Sequence, residues 1–238
     1  MIKINNFKLK IFADGADLSD FNALKKNQLI KGFTTNPSLM RKAGVKNYKK
    51  FSMKVLNLIK HKPVSFEIFG DDLDSIEHQS RLISSWAKNV YVKIPIVNTK
   101  NVSNSKLIGK LNKEGIKINV TAIFTSNQTK ELLKNIGKKT NIIFSVFAGR
   151  IADTGINAEN EIDKHVKLCK KFKNIEILWA SVREPYNIIQ AEKSKCHIIT
   201  VPPSILKKLK LFNKDLKIYS RETVEDFYND AVKSRFSI

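Results

Sequence analysis

The chain has 238 residues, 42% of them hydrophobic, which suits one large domain or two small ones with a sizeable core. No apolar run approaches the roughly 20 residues of a membrane helix, and its 2 cysteines are too few for a disulfide framework or a metal cluster. Net charge is +21, from 43 Lys+Arg against 22 Asp+Glu, so nucleic acid or an anionic membrane must be weighed as a partner.

The distribution of that charge argues against a polyanion groove. The basic residues are mostly lysines spread along helical segments, as in Lys164, Lys167, Lys170, Lys171 and Lys173. They form no arginine-rich block with interleaved aromatics. Nucleic acid is therefore not the expected partner, whereas phosphorylated metabolites would be attracted in a salt-sensitive way. Met1 to Lys10 lacks the apolar core and cleavage site of a signal peptide. With so few cysteines, this predicts a reduced, cytoplasmic protein.

Short runs rich in Val, Ile and Phe recur along the chain. Strands are expected at Ile11–Ala13, Gly32–Thr35, Val64–Phe69, Val90–Ile96, Ile118–Phe124, Ile142–Ala148, Ile175–Val182 and His197–Val201. They do not alternate apolar with polar, which is the pattern of strands buried on both faces. Helical spacing separates them: Tyr48, Phe51, Val55, Leu58 and Ile59 share one face, as do Leu82, Ile83 and Trp86. Ile162, Val166, Cys169 and Phe172 form another stripe, which makes Cys169 a core residue. Ser126 is the expected cap of a helix running to Ile136, with Gly137 at its end. Pro185 and Pro203 suit the first turns of two later helices.

Eight strand–helix units in a chain of this length predict a single-domain (β/α)8 barrel spanning residues 1–238. An open doubly wound sheet is the alternative, but Ala13-Asp14-Gly15-Ala16-Asp17 has one glycine and no phosphate loop. Beyond the eighth unit, Ser220 is expected to open a C-terminal helix over 220–236. Its apolar face of Val224, Phe227, Tyr228 and Ala231 would pack on the barrel or on a neighbouring subunit, so a homo-oligomer is plausible.

One polar residue stands out in this apolar scaffold. Lys93 lies inside Val90-Tyr91-Val92-Lys93-Ile94-Pro95-Ile96. A cation there is costly unless paired or deprotonated, and a deprotonated lysine is a nucleophile for carbonyl carbon. The bland alternative is a strand-end lysine whose ammonium reaches solvent. Barrel chemistry sits at the C-terminal ends of the strands. There the chain delivers Asp14, Thr34, Thr35, Asn36, Glu67, Lys93, Asn119, Thr121, Ser145, Arg150, Ser181 and Arg183.

These strand ends also carry a family resemblance. Gly32-Phe33-Thr34-Thr35-Asn36-Pro37-Ser38-Leu39 resembles the second-strand signature of transaldolases. Val92-Lys93-Ile94-Pro95 resembles the Schiff-base strand of the small transaldolase and fructose-6-phosphate aldolase branch. Asn119-Val120-Thr121-Ala122-Ile123-Phe124, Ser145-Val146-Phe147-Ala148-Gly149-Arg150, Ala180-Ser181-Val182-Arg183 and Thr200-Val201-Pro202-Pro203 are similar to the later motifs. The likeness runs from about Phe12 to Leu209.

The resemblance implies a cofactor-free transfer of a dihydroxyacetone unit from a ketose phosphate to an aldose phosphate through a Lys93 Schiff base. By the same resemblance Asp14 is the acid/base on the C4 hydroxyl, and Glu67 and Thr121 hold a proton-relaying water. Thr35 belongs to the second-strand signature, and Asn36 and Asn119 bind substrate hydroxyls. Ser145, Arg150 and Arg183 bind the phosphate, supported by Ser181. Glu67 and Phe147 stand where the aldolase branch has Gln and Tyr, which favours the transferase. Gly15, Val146 and Glu184 depart from the family pattern, and Glu184 sets a negative charge beside an arginine. These departures bear on the sugar more than on the fold. The alternatives are a ketose-phosphate aldolase, an enzyme of specialised sugar biosynthesis outside the pentose phosphate pathway, and a non-catalytic basic scaffold. His61, His78, His165 and His197 show no metal-ligand spacing, and no metal or organic cofactor is implied.

Overall fold

Eight parallel strands close on themselves in chain order in the computed structural model, which describes residues 2–235. They are β1 (Lys10–Asp14), β2 (Ile30–Thr34), β3 (Val64–Glu67), β4 (Val90–Pro95), β5 (Ile118–Ile123), β6 (Ile142–Val146), β7 (Ile175–Trp179) and β8 (Ile198–Val201). The ring is completed by β1 against β8, with Lys10 opposite Ile198 and Ala13 opposite Val201. This is the predicted (β/α)8 barrel. Several strands stop short of their apolar runs: β3 ends at Glu67 rather than Phe69, and β7 at Trp179 rather than Val182. Ile68, Ala180 and Val182 remain buried although the ladder has ended, because the segments after the strands still pack against the barrel.

The helices, again in chain order, are α1 (Leu18–Leu24), α2 (Pro37–Lys42), α3 (Tyr48–Leu58), α4 (Leu73–Ser84), α5 (Ser105–Lys113), α6 (Ser126–Asn135), α7 (Ala148–Asp153), α8 (Ala158–Cys169), α9 (Tyr186–Lys193), α10 (Pro203–Leu206) and α11 (Leu216–Ser234). The α6 cap is Thr125, not Ser126. Thr125 forms a reciprocal capping box with Gln128, which satisfies two terminal N–H groups where a lone serine would satisfy one. Pro185 stands at the N-cap of α9 and Pro203 at the start of α10, positions where a missing N–H costs little. Cys169 closes α8 buried, and burial pushes its thiol up to about 12, as suits an inert core residue.

Two apolar layers sit on either side of the sheet. The larger core fills the shell between strands and helices. A smaller cluster of Phe12, Tyr91, Ile143, Leu178 and Ile198 plugs the barrel's interior. Gly32 is required there: a Cβ would fall 2.5 Å from the Phe12 ring. Two residues on from Phe12, Gly32, Tyr91, Ile143 and Ile198 stand Asp14, Thr34, Lys93, Ser145 and Thr200. Strand side chains repeat every second residue, so each plug residue points its polar successor into the barrel's mouth.

The terminal helix begins earlier than expected, at Leu216, because the Asp215 carboxylate caps it by accepting from the N–H groups of Lys217 and Ile218. It ends at Ser234, and Phe236 lies outside the described residues. None of its residues is buried, with Phe227 and Tyr228 each 69% exposed, so the barrel does not cover its apolar face. No described helix is long and apolar enough to cross a membrane.

Candidate active site

A cavity of about 440 Å³ opens at the C-terminal end of the barrel. A larger hollow of about 570 Å³ lies outside the barrel between α1 and α3, but Lys46, Lys50 and Lys54 line it and no strand-end polar residue reaches it. The barrel cavity is lined by Asp14, Asn36, Glu67, Lys93, Thr121, Ser145, Phe147, Arg150, Ser181 and Arg183, ten of the twelve residues expected from the sequence. The other two, Thr35 and Asn119, are fully buried and do not line it.

Lys93 is 7% exposed. Its Nζ lies 3.0 Å from Glu67 Oε2 and donates to the Thr35 carbonyl at 2.9 Å. The register of β3 and β4 puts Glu67 directly beside Lys93. The Thr35 hydroxyl in turn donates to the Ser65 carbonyl at 2.9 Å, which fixes the carbonyl that holds the lysine. Tyr48, on α3, donates its hydroxyl to the Glu67 carbonyl at 2.7 Å and braces the end of β3. The lysine of the bland alternative would reach solvent; this one is held inside.

Asp14 faces the same space. Burial raises its carboxyl above the ordinary range, opposed by the Lys93 charge and by hydrogen bonds from Thr34 and Asn36. The Thr34 hydroxyl donates to Asp14 Oδ1 at 2.8 Å, and it also lies within hydrogen-bond reach of the Thr200 hydroxyl. Thr34 has one proton, already directed at Asp14, so Thr200 must be the donor to Thr34. Asn36 lines the cavity while its Oδ1 caps α2 by accepting from the Leu39 N–H at 2.9 Å, which leaves its NH₂ group to face inward.

The floor is a separate network. Asn119 donates to Ser65 Oγ at 3.1 Å and accepts from Ser145 Oγ at 2.7 Å. The amide expected to bind substrate hydroxyls is therefore engaged by two serines, Ser65 beneath the cavity and Ser145 in its lining. Ser145 has its only proton committed to Asn119, so it offers a ligand an acceptor and not a donor. Thr121 is different: its buried hydroxyl has no partner among the described residues and remains available to the cavity. An unmade hydrogen bond at such a group costs about 1–3 kcal/mol, which a polar ligand would recover.

The rim is cationic. Arg150 projects from α7 with its guanidinium 5.5 Å over the Phe147 ring. Arg183 follows β7 and pairs through Nη2 with Asp153 at the end of α7. Glu184, the expected negative neighbour, has its N–H held by Asn187 Oδ1 at 3.2 Å, and the carboxylate paired with Arg183 is Asp153. Ser181 between the rim elements has a left-handed backbone, φ 64°. Thr34, expected at the end of β2, was given no role there, and Thr200, Ser65 and Asp153 were not among the expected site residues. For the first three the signal was available, since each stands at an inward position two residues from another inward residue.

The cavity thus has a deep end with one amine and two carboxylates, and a rim with two guanidinium groups. It suits an uncharged polar chain carrying an anion at one end. Comparisons with known proteins bear on the family. The family profile described as Transaldolase/Fructose-6-phosphate aldolase matches residues 11–238. A "Probable transaldolase" of Dehalococcoides mccartyi is 32% identical over 203 residues, covering 84% of this chain and 90% of that protein. A "Probable transaldolase" of Methanococcus maripaludis is 35% identical over 212 residues, covering 87% and 92%. Among solved structures, 3-hexulose-6-phosphate synthase from Salmonella typhimurium matches with a TM-score of 0.56 over 84% of this chain and 91% of that one, at 13% identity, a likeness of fold alone. The profile spans the strands that build the cavity, and the chain belongs to the transaldolase/fructose-6-phosphate aldolase family.

Proposed function

We propose that this enzyme is a transaldolase that moves a dihydroxyacetone unit from a ketose phosphate, fructose 6-phosphate or sedoheptulose 7-phosphate, to an aldose phosphate. The observation that carries the reading is the Lys93–Glu67 contact in the cavity with Asp14 facing it. Glu67 takes a proton from the Lys93 ammonium, and the freed amine attacks the C2 carbonyl. The C2 oxygen then takes one proton from the attacking nitrogen and one from Glu67, leaves as water and gives the iminium. Thr121, with its unpartnered hydroxyl, holds that water beside Glu67. Asp14 removes the C4 hydroxyl proton, the C3–C4 electron pair moves into the iminium, and an aldose leaves. The three-carbon enamine stays on Lys93 until a second aldehyde takes it up. Asp14 returns its proton to the new hydroxyl, and water hydrolyses the imine. The two guanidinium groups at the rim suit the substrate's phosphate.

The test is borohydride trapping with fructose 6-phosphate, read by peptide mass spectrometry. A reduced three-carbon adduct on Lys93 is expected. No adduct with either ketose phosphate would overturn the reading. Release of glyceraldehyde 3-phosphate at full rate without an acceptor would favour the aldolase instead.

Asp14→Asn separates chemistry from stability. The folded pKa of Asp14 is raised, so between the ordinary carboxyl value and the raised one the folded chain binds more protons than the unfolded chain. Stability therefore falls as pH rises through that window, and the loss persists at neutral pH. Asparagine removes the buried charge while keeping an oxygen for Thr34. The variant should lose activity by about 10²–10⁴-fold. At neutral pH it should melt higher than the parent, by about 2–4 °C for each kcal/mol of relieved burial cost. Calorimetry should show the gain shrinking as pH falls toward the ordinary carboxyl range.

A further inference from the structure

We propose that Asp153 is a positioning residue for the substrate's phosphate, holding Arg183 beside Arg150 as a two-armed clasp; this rests on the transaldolase reading. Arg150 and Asp153 stand three apart on α7, so their side chains are neighbours on the helix surface. Arg183 comes from the other side, on the segment after β7, and donates Nη2 to Asp153 Oδ2. The carboxylate therefore brings the second guanidinium to the helix that carries the first.

Two further features fix the clasp at its base. The Gly149 N–H donates to the Ala180 carbonyl at 3.3 Å, and a Cβ on Gly149 would lie 1.6 Å from the Ser181 carbonyl oxygen. The backbones carrying the two arginines are thus in direct contact one residue before Arg150 and two before Arg183. The Arg183 N–H is held by Asn187 Oδ1 at 2.9 Å. Backbone placement alone does not orient a long, flexible side chain, and unscreened guanidinium groups repel. Asp153 supplies the missing constraint. It takes one nitrogen of Arg183, leaves the other donors free, and lowers the local charge from two positive to one. With Arg183 held in advance, less side-chain freedom is lost when phosphate arrives.

Arg183 and Asp153 are 52% and 54% exposed, so as a mere surface pair they would contribute little to stability. A clasp and a surface pair differ in what they do to ligands. Asp153→Ala should raise KM for fructose 6-phosphate by about 5- to 10-fold with kcat within about twofold, the pattern of lost uniform binding. KM for fructose, which has no phosphate, should be unchanged. Asp153→Glu should restore most of the affinity and Asp153→Asn little. Glucitol 6-phosphate has no carbonyl, so its affinity by titration calorimetry reports the clasp without the reaction, and Asp153→Ala should weaken it by the same factor. Unchanged or tighter glucitol 6-phosphate binding in Asp153→Ala would overturn the clasp, as would failure of the parent enzyme to bind it. Tight binding that depends on Asp153, without any adduct on Lys93, would sink the transaldolase reading and leave the clasp standing.

Discussion

Lys93→Met should lower turnover by more than about 10⁴-fold, because the residue is the proposed covalent carrier and no second lysine among the described residues lines the cavity. The same substitution should destabilise the fold. It removes the cation that faces Glu67 at 3.0 Å and that opposes the upward shift of Asp14. Two carboxylates are then left in one partly buried space. Stranding the partner of a buried ion pair costs about 3 kcal/mol or more. With no cation beside it, the Asp14 carboxyl is held further above its ordinary value, so the cost is present at neutral pH and fades as pH falls and Asp14 takes up a proton. Chemical denaturation at pH 7.5 and pH 5 would read this directly. A variant that retains turnover would overturn the carrier role, and one equally stable at both pH values relative to the parent would overturn the electrostatic account.

Gly149→Ala should be the most damaging small substitution in the molecule. The added methyl group would sit 1.6 Å from a backbone oxygen of Ser181, far inside contact distance. Neither side yields easily: Gly149 is inside α7, and Ser181 already has a left-handed backbone, φ 64°. Overpacking against backbone costs roughly 3 kcal/mol, which corresponds to about 6–12 °C in melting temperature. Pushing α7 away also separates Arg150 from Arg183, so turnover of phosphorylated substrate should fall by about 10²-fold. Thermal melts and steady-state kinetics check both effects. A variant that melts within about 1 °C of the parent would show that the two segments part without penalty.

Much of this architecture is legible in the chain, and the reasons are local. A closed parallel sheet buries both strand faces, so its strands are continuous apolar runs, and a polar residue inside such a run signals a site. Lys93 is the clearest case. The strand-end residues converge because each strand repeats the same inward step, from Tyr91 to Lys93 or from Ile143 to Ser145. What the chain does not display is which partner each polar group takes. Asn119 reads as a ligand-binding amide and turns out to be tied between Ser65 and Ser145, residues on β3 and β6. Asp153 carries no signal of its own in the sequence, because its partner Arg183 is thirty positions away. The α6 cap was misplaced by one residue because Ser126 and Thr125 are both competent caps, and only Gln128 three positions later favours Thr125.

The closure of β1 on β8 has a consequence for biosynthesis. Every other seam of the barrel joins strands adjacent in the chain, whereas this one joins Lys10 to Ile198 and is sealed by the Lys10 N–H on the His197 carbonyl. At about 5–20 residues per second, a ribosome carries the growing sheet open for on the order of 10–40 s before β8 emerges. Throughout that time the free sides of β1 and of the newest strand are unpaired templates for another nascent chain. The finished barrel has no such edge. The species most exposed to misassembly is therefore the incomplete polypeptide on the polysome, and residues that slow translation before β8 would threaten yield without altering the folded enzyme.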